Sequence, residues 1–334
     1  MLVVRPAGEA DIGALMDLAH LSGRGFTSLP EDRDVLSERL ALSDASFAGA
    51  VLPQEAWYTL MIEDLATGMI AGVAGVRAAV GLLRPHFSFR VVTLAQYSSA
   101  TKTRFDHSAL VLVNECSGWT EVGSLFVRPE YRNSGAGGLL ARARYMLIAA
   151  EPLKFSATVM AELRGHFDEH DHSPFWEGVG YKFFRIPFED ADRMITSTDG
   201  QFILDLAPRH PIYAELIDPA ANAAIGAVHK DGLPALALLE HEGFTRSQLI
   251  DMFDGGPTVT CPRDTITTIR KAVRWPGEIG HVPDGAPMLI ASDSLARFRA
   301  IRAPVVLGEG AARISDEAAA ALGVEPGATL LISG

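Results

Sequence analysis

The residues best suited to chemistry lie in "VRPEYRNSGAGGLL", residues 127–140, where three glycines and two arginines fall between an apolar run and a helix-like run. Glycines let a backbone come close to a ligand, and consecutive N–H groups at a helix N-terminus form a cradle for an anion, so a phosphate group is the first candidate occupant. A purely structural turn before a helix has the same composition. Arg128, Arg132, Arg142 and Arg144, set against Glu121 and Glu130, make this neighbourhood locally positive in an acidic chain. A second cluster, "HFDEHDH" at 166–172, holds three histidines and three acids. Mixed clusters of this kind on loops are usually solvated, and the spacing fixes no coordination geometry, so no metal is expected. "DGGP" at 254–257 reads as a turn, with Asp254 facing an active site as the other reading. Cys116 and Cys261 have no neighbouring base motif, which disfavours a covalent intermediate.

The elements that would hold the glycine turn flank it. "WTEVGSLFVRPEY" reads as a strand stopped by Pro129, and "GGLLARARYMLIAA" as a helix whose buried stripe uses Leu139, Leu140, Ala143, Met146 and Leu147. Upstream, residues 2–5 read as a strand, followed by a helix carrying Ile12, Leu15, Met16 and Leu18 and closing near Gly23. Residues 57–81 read as a hairpin around Asp64–Gly68. Downstream, "ATVMAEL" (157–163) reads as a strand, and "SPFWEGVGYKFFRI" as a short helix, a glycine break and a last strand. A similar cadence returns at 235–253, where an apolar helix meets Gly243 and Phe244 before a strand. Residues 274–287 are rich in Pro and Gly and read as a boundary, beyond which one short helix and a terminal strand are expected. The expected division is 1–273 (a core at 1–187 and an extension at 188–273) and a small β-rich unit at 274–334.

With 334 residues and 48% hydrophobic content, the chain can bury one large core or two smaller ones. A formal net charge of −12 argues against a nucleic-acid partner and favours a cationic small molecule. Two cysteines without CxxC spacing fit a reducing compartment. The N-terminus lacks a signal-peptide pattern, and no apolar run approaches the length of a membrane span. A soluble cytoplasmic protein with no membrane partner is the expectation.

"RNSGAG" fits the pattern RxxGxG at a strand-to-helix junction and resembles the coenzyme-binding turn of the Gcn5-related (GNAT) N-acyltransferases. A closer resemblance runs along nearly the whole chain. "TSLP" (27–30), "SLFVRPEYR" (124–132), "AELRGHFDEHDHSPFW" (161–176), "HPIY" (210–213), "GAVH" (226–229) and "FDGGPT" (253–258) are together similar to the arginine N-succinyltransferases. The resemblance implies a GNAT-like α/β (α+β) fold with a mixed, mostly antiparallel sheet and a small C-terminal β-rich domain. It also implies transfer of succinyl from succinyl-CoA to the α-amine of L-arginine in arginine catabolism, with ornithine as a second acceptor. Succinyl-CoA is then a co-substrate, with no permanently bound cofactor. "FSFRVV" (87–92) stands where the family tends to have "YNYRVG", and residues 95–120 match poorly, which bears on the acceptor more than on the reaction.

Carried over residue by residue, the resemblance assigns the diphosphate to Arg132, Asn133, Ser134, Gly135, Ala136 and Gly137, and the pantetheine arm to Leu125, Phe126 and Val127. Leu125 matches the family's succinyl-CoA contact, and its amide or a neighbour's is the candidate for polarising the thioester carbonyl. An amine attacks a thioester only when neutral, so the site also needs a proton carrier. His229, of "GAVH", matches the family's proton donor, while Glu121 lies on the strand that often carries a GNAT catalytic glutamate. Glu162, Asp168 and Glu169 are candidates for gripping the guanidinium, and Glu162 pairing with Arg164 is the structural reading. Two further readings stand beside this one: a related N-acyltransferase with another acyl-CoA or amine, and a non-catalytic partner subunit. A homo-oligomer or a hetero-oligomer with a sister subunit is expected.

Overall fold

The computed structural model describes residues 1–23, 26–197 and 200–334. β1 (Leu2–Pro6) leads into α1 (Ile12–Ser22), which buries Leu15, Leu18 and Ala19. In α2 (Arg33–Phe47), the Asp32 carboxylate accepts from the amides of Asp34 and Val35, satisfying donors the helix leaves free at its start. β2 (Trp57–Asp64) and β3 (Met69–Arg77) form the expected hairpin, turned at Gly68 with a φ of +70°. A longer hairpin, β4 (Ser88–Ser98) and β5 (Thr103–Val113), precedes β6 (Thr120–Val127), α3 (Ala136–Ala150) and β7 (Thr158–Glu162). α3 buries 12 of its 15 residues, the expected stripe among them, because the sheet covers one side and later elements cover the other.

The next segment departs from the sequence reading. Residues 173–186 hold no strand: a π-helical turn over Trp176–Gly180 runs directly into α4 (Tyr181–Phe184). Gly178 and Gly180 are therefore not breaks. They are the small residues that packing demands, since a Cβ on Gly180 would lie 2.2 Å from the Trp176 ring and one on Gly178 would lie 2.3 Å from the Ala221 Cβ. The fully buried indole stacks on Phe184 (5.6 Å) and Phe253 (5.4 Å), centring a second core.

α5 (Phe188–Ser197), α6 (Gln201–Leu206), β8 (Ile212–Tyr213) and α7 (Pro219–Ala224) come next in the chain. α8 (Leu233–His241) ends at Gly243, φ +100°, and leads into β9 (Thr245–Asp251), the helix-glycine-strand cadence expected there. β10 (Pro257–Pro262) then supplies the strand beside β7. After α9 (Thr267–Lys271), the Pro/Gly-rich stretch begins as a strand, β11 (Val273–Ile279), with the turn confined to residues 280–285. β12 (Ala286–Ser292), β13 (Ala300–Leu307), β14 (Ala312–Ile314), α10 (Asp316–Leu322) and β15 (Thr329–Ser333) complete the chain.

The sheet order is β12-β15-β11-β14-β13-β1-β2-β3-β6-β7-β10-β9-β4-β5-β8. β12 also pairs with β13, so the last five strands close on themselves as a small barrel joined to the main sheet through β1–β13. Closure removes the free edges that short strands would otherwise expose. Pairing is antiparallel almost throughout; the parallel pairs are β11–β14 in the barrel and β6–β7 in the centre of the main sheet. No helix among the described residues is long and apolar enough to cross a membrane.

Candidate active site

β6 and β7 are in register only at Thr120↔Val159 and Glu121↔Met160, after which the two strands part. On its other side β6 carries a bulge: the register with β3 steps from Val73↔Phe126 to Gly75↔Gly123, leaving Ser124 and Leu125 opposite Ala74 alone. Ser124 has a φ of +51°, an uncommon conformation for a non-glycine residue, and its hydroxyl donates to the Ser28 carbonyl at 2.8 Å. The Leu125 side chain packs against the main core, and because Arg128 donates its N–H to Ala71 on the β3 side, alternation turns the backbone groups of Leu125 and Val127 to the opening and those of Phe126 to β3.

The far wall of this wedge is the continuation of β7. Leu163 donates its N–H to Pro257 in β10, and because successive backbone groups point to alternate edges, the Arg164 carbonyl faces the β6 side. There it accepts the N–H of His229 at 2.9 Å, and Gly165 bridges to Val228. The "GAVH" segment is thus pinned to the edge that the splay exposes. His229 is buried, its ring edge-on to Phe167, and its Nδ1 accepts the Asp231 N–H at 3.2 Å. In the neutral form that acceptance leaves the proton on Nε2. Burial, then the Arg164 guanidinium, hold the imidazole below its ordinary pKa.

At the mouth of the wedge, Asn133 (φ +64°) and Gly135 (φ +88°) adopt left-handed conformations that turn the chain into α3. The amides of Asn133, Gly135, Gly137 and Gly138 donate to no group among the described residues. Residues 132–135 are exposed, and a Cβ at Gly135 or Gly138 would meet nothing within 4 Å. Free N–H groups, a left-handed turn and the positive end of a 15-residue helix make an open anion cradle.

Four ionisable groups converge beside the wedge. Glu121 pairs with Arg77 at 3.4 Å, and Glu162 pairs with His86 at 3.0 Å. Burial opposes the charge on His86, but the Glu162 carboxylate outweighs it and raises the imidazole to about 9. Close by, the Asp254 carboxylate accepts the amides of Gly165 (2.7 Å) and Gly256 (2.8 Å), and Asp251 accepts those of Phe253 (2.7 Å) and Asp254 (2.9 Å). Burial, with the negative charge of Asp254 and Glu162, pushes Asp251 well above the ordinary carboxylate range; burial and Glu162 also raise Asp254. A cavity of about 320 Å³ elsewhere, lined by Phe87, Ile203, Arg209 and His210, includes none of these groups.

A family model described as "Arginine N-succinyltransferase beta subunit" matches residues 2–268, and the model of that subunit's C-terminal domain matches 270–333. The chain belongs to the arginine N-succinyltransferase family. An arginine N-succinyltransferase of Citrobacter koseri is 38% identical over 308 residues, spanning 90% of this chain and 88% of that protein. One from Salmonella newport is 39% identical over 307 residues, spanning 90% and 88%. The solved structure of arginine/ornithine succinyltransferase subunit AI from Pseudomonas aeruginosa superposes with a TM-score of 0.90 at 32% identity, covering 100% of this chain and 98% of that one. The fold is that of this succinyltransferase subunit, an α/β (α+β) fold with a mixed, mostly antiparallel sheet and a strand-rich C-terminal unit.

Within that framework the sequence candidates separate. Glu121, the Leu125–Val127 backbone, the 132–137 turn, Glu162 and His229 border the wedge or its mouth. Glu162 is paired with His86 rather than with Arg164. Asp168 and Glu169 sit on an exposed loop: Asp168 accepts the amides of His170 (2.8 Å) and His172 (2.9 Å), while the Glu169 side chain is 88% exposed. Among the described residues no group of three or more His, Cys, Asp or Glu is arranged to hold a metal. Arg77, His86 and Asp251 escape sequence reading because each stands alone in its own stretch. Asp254 was legible only as a turn residue with a second reading.

Proposed function

We propose that the chain transfers succinyl from succinyl-CoA to the α-amine of L-arginine. The observation that carries this reading is the wedge itself: splayed β6–β7, a bulge at Ser124–Leu125, four free amides at the start of α3, and His229 on the opposite edge. The diphosphate lies on the 132–137 turn, and the pantetheine arm runs along Leu125–Val127 as a stand-in for the strand partner that β6 lacks.

The α-ammonium gives a proton to Glu121, and the neutral amine attacks the thioester carbonyl, whose developing oxyanion takes the Leu125 amide. The tetrahedral intermediate loses its second amine proton to solvent and expels the CoA thiolate, which accepts a hydrogen bond from His229 Nε2–H and then a proton from solvent, while Glu121 returns its proton to solvent. Per turnover, one C–N bond forms, one C–S bond breaks and one proton is released. A guanidinium is the group suited to lie beside Glu162, Asp251 and Asp254: burial first, and then the neighbouring negative charge, raise the two aspartates, and a cation there favours their ionised forms. Asp168, fixed in its own loop, and the exposed Glu169 are left out of this acceptor site.

The P. aeruginosa relative is a subunit, and the family model is that of a beta subunit; we infer that this chain, too, works in an oligomer and, from two cysteines without CxxC spacing, in the cytoplasm. Mass spectrometry of products after incubating the purified chain with succinyl-CoA and L-arginine tests donor, acceptor and independence from a sister subunit together. Absence of N-succinylarginine refutes the proposal for the chain alone.

A further inference from the structure

Trp57 carries two guanidinium groups: the Arg39 Cζ lies 4.3 Å from the ring centroid and the Arg77 Cζ 4.8 Å. Arg77 stands opposite Trp57 in β2 and opposite Glu121 in β6, and its positive charge is answered by Glu121. Arg39 has no ion pair of its own, and the Glu121 charge offsets its burial and the Arg77 repulsion only in part. Among the described residues its guanidinium makes one hydrogen bond, to the Ser28 carbonyl at 2.6 Å, and no ion pair. Burial, and then repulsion from Arg77, lower it to about 10. A partly buried cation held beside a second one is costly unless an anion completes the set.

Its position is tied to the wedge. The Ser28 carbonyl that takes Arg39 also takes the Ser124 hydroxyl at 2.8 Å. A Cβ at Gly75 would fall 3.4 Å from the Trp57 Nε1 and 3.6 Å from the Ser124 Oγ, so the indole lies against the bulge, with only a glycine between. Leu125, whose amide is the thioester contact of the proposed mechanism, is the next residue. Two guanidiniums against one carboxylate leave one positive charge, the complement of a single carboxylate.

Resting on the reading under Proposed function, we propose that Arg39 and Arg77, stacked on Trp57, bind a substrate carboxylate, the one at the far end of the succinyl group, and so select a dicarboxylic acyl donor over a neutral one. Butyryl-CoA has the same chain length without that charge. For wild type and Arg39→Gln, kcat/KM is measured with succinyl-CoA and with butyryl-CoA on L-arginine, and with succinyl-CoA on agmatine, which lacks the acceptor carboxylate. The expected result is that the succinyl-over-butyryl preference falls on the order of 10- to 100-fold, the worth of one charged hydrogen bond, and that Arg39→Lys restores part of it. An equal loss with both donors overturns the proposal in favour of a structural role. Retained donor preference with a raised KM for arginine, and no effect on agmatine, overturns it in favour of the acceptor's carboxylate. A wild-type protein inactive with every donor sinks the underlying functional reading, an outcome visible before any variant is compared.

Discussion

Gly135 separates the turn's structural cost from its function. Its φ of +88° is one that an L-residue adopts at a cost of about 1–2 kcal/mol, and a Cβ there meets nothing within 4 Å, so Gly135→Ala adds strain without a clash. Gly49, in the turn after α2, has a φ of +70° and equally open space, and serves as a strain-only control. Both alanine variants should therefore lower Tm by similar amounts, a few degrees at most. Only Gly135→Ala places a methyl group at the anion cradle and tilts its free amides. One charge-assisted hydrogen bond to a diphosphate is worth roughly 1.5–3 kcal/mol, so KM for succinyl-CoA should rise about 10- to 100-fold. The decisive assay repeats the measurement with succinyl-pantetheine, which has the thioester and the arm but no diphosphate. On that donor the variant and the wild type should have the same KM. If Gly135→Ala weakens both donors equally, or if Gly49→Ala raises KM as much, the cradle does not hold a diphosphate.

The site's geometry yields three further outcomes. His86 has a folded pKa raised above its unfolded value, so its pairing with Glu162 stabilises the fold fully below about 6.5 and is lost as pH rises through about 9; Tm should drop between pH 7 and 10 in wild type and far less in His86→Gln. His229→Asn keeps a side-chain acceptor for the Asp231 amide but is too short to place an N–H where Nε2 stands, so Tm should hold while kcat falls on the order of 10²- to 10³-fold with binding of CoA intact; near-normal turnover would leave His229 only the cap of the turn at 230–232. Glu162→Gln should raise KM for arginine at least about tenfold with KM for succinyl-CoA unchanged, and an unchanged arginine KM removes the acidic pocket from recognition.

What the sequence made legible was local. The Asp64–Gly68 hairpin, the Pro129 stop, the glycine turn and the α8–Gly243–β9 cadence each arise from neighbours within a few residues. Residues 173–186 misled for a physical reason: glycines at 178 and 180 read as breaks by propensity, yet the helix needs them so that the Trp176 ring and Ala221 can pack. His229 carried no local signal beyond its type, and only the resemblance marked it; its placement comes from a hydrogen bond to Arg164, far earlier in the chain. The Arg39–Trp57–Arg77 platform and the His86–Glu162 pair are likewise assembled across the sheet from residues that no spacing rule connects.

Those long-range placements share one origin in backbone accounting. Buried N–H and C=O groups must find partners, and a parallel strand pair that ends after two register positions leaves two facing edges short of them. A fold could close the gap with another strand. Here the β7 edge is satisfied by the His229 N–H on the Arg164 carbonyl, while the bulge at Ser124–Leu125 breaks the register of β6 with β3 at the place where the β6 edge is open. The same rule that opens the wedge therefore delivers the imidazole to it. Moving the "GAVH" segment by one residue would break the Arg164 bond and withdraw the histidine at once, so the closed β7 edge and the proposed hydrogen-bond donor to the thiolate are lost together in a register slip.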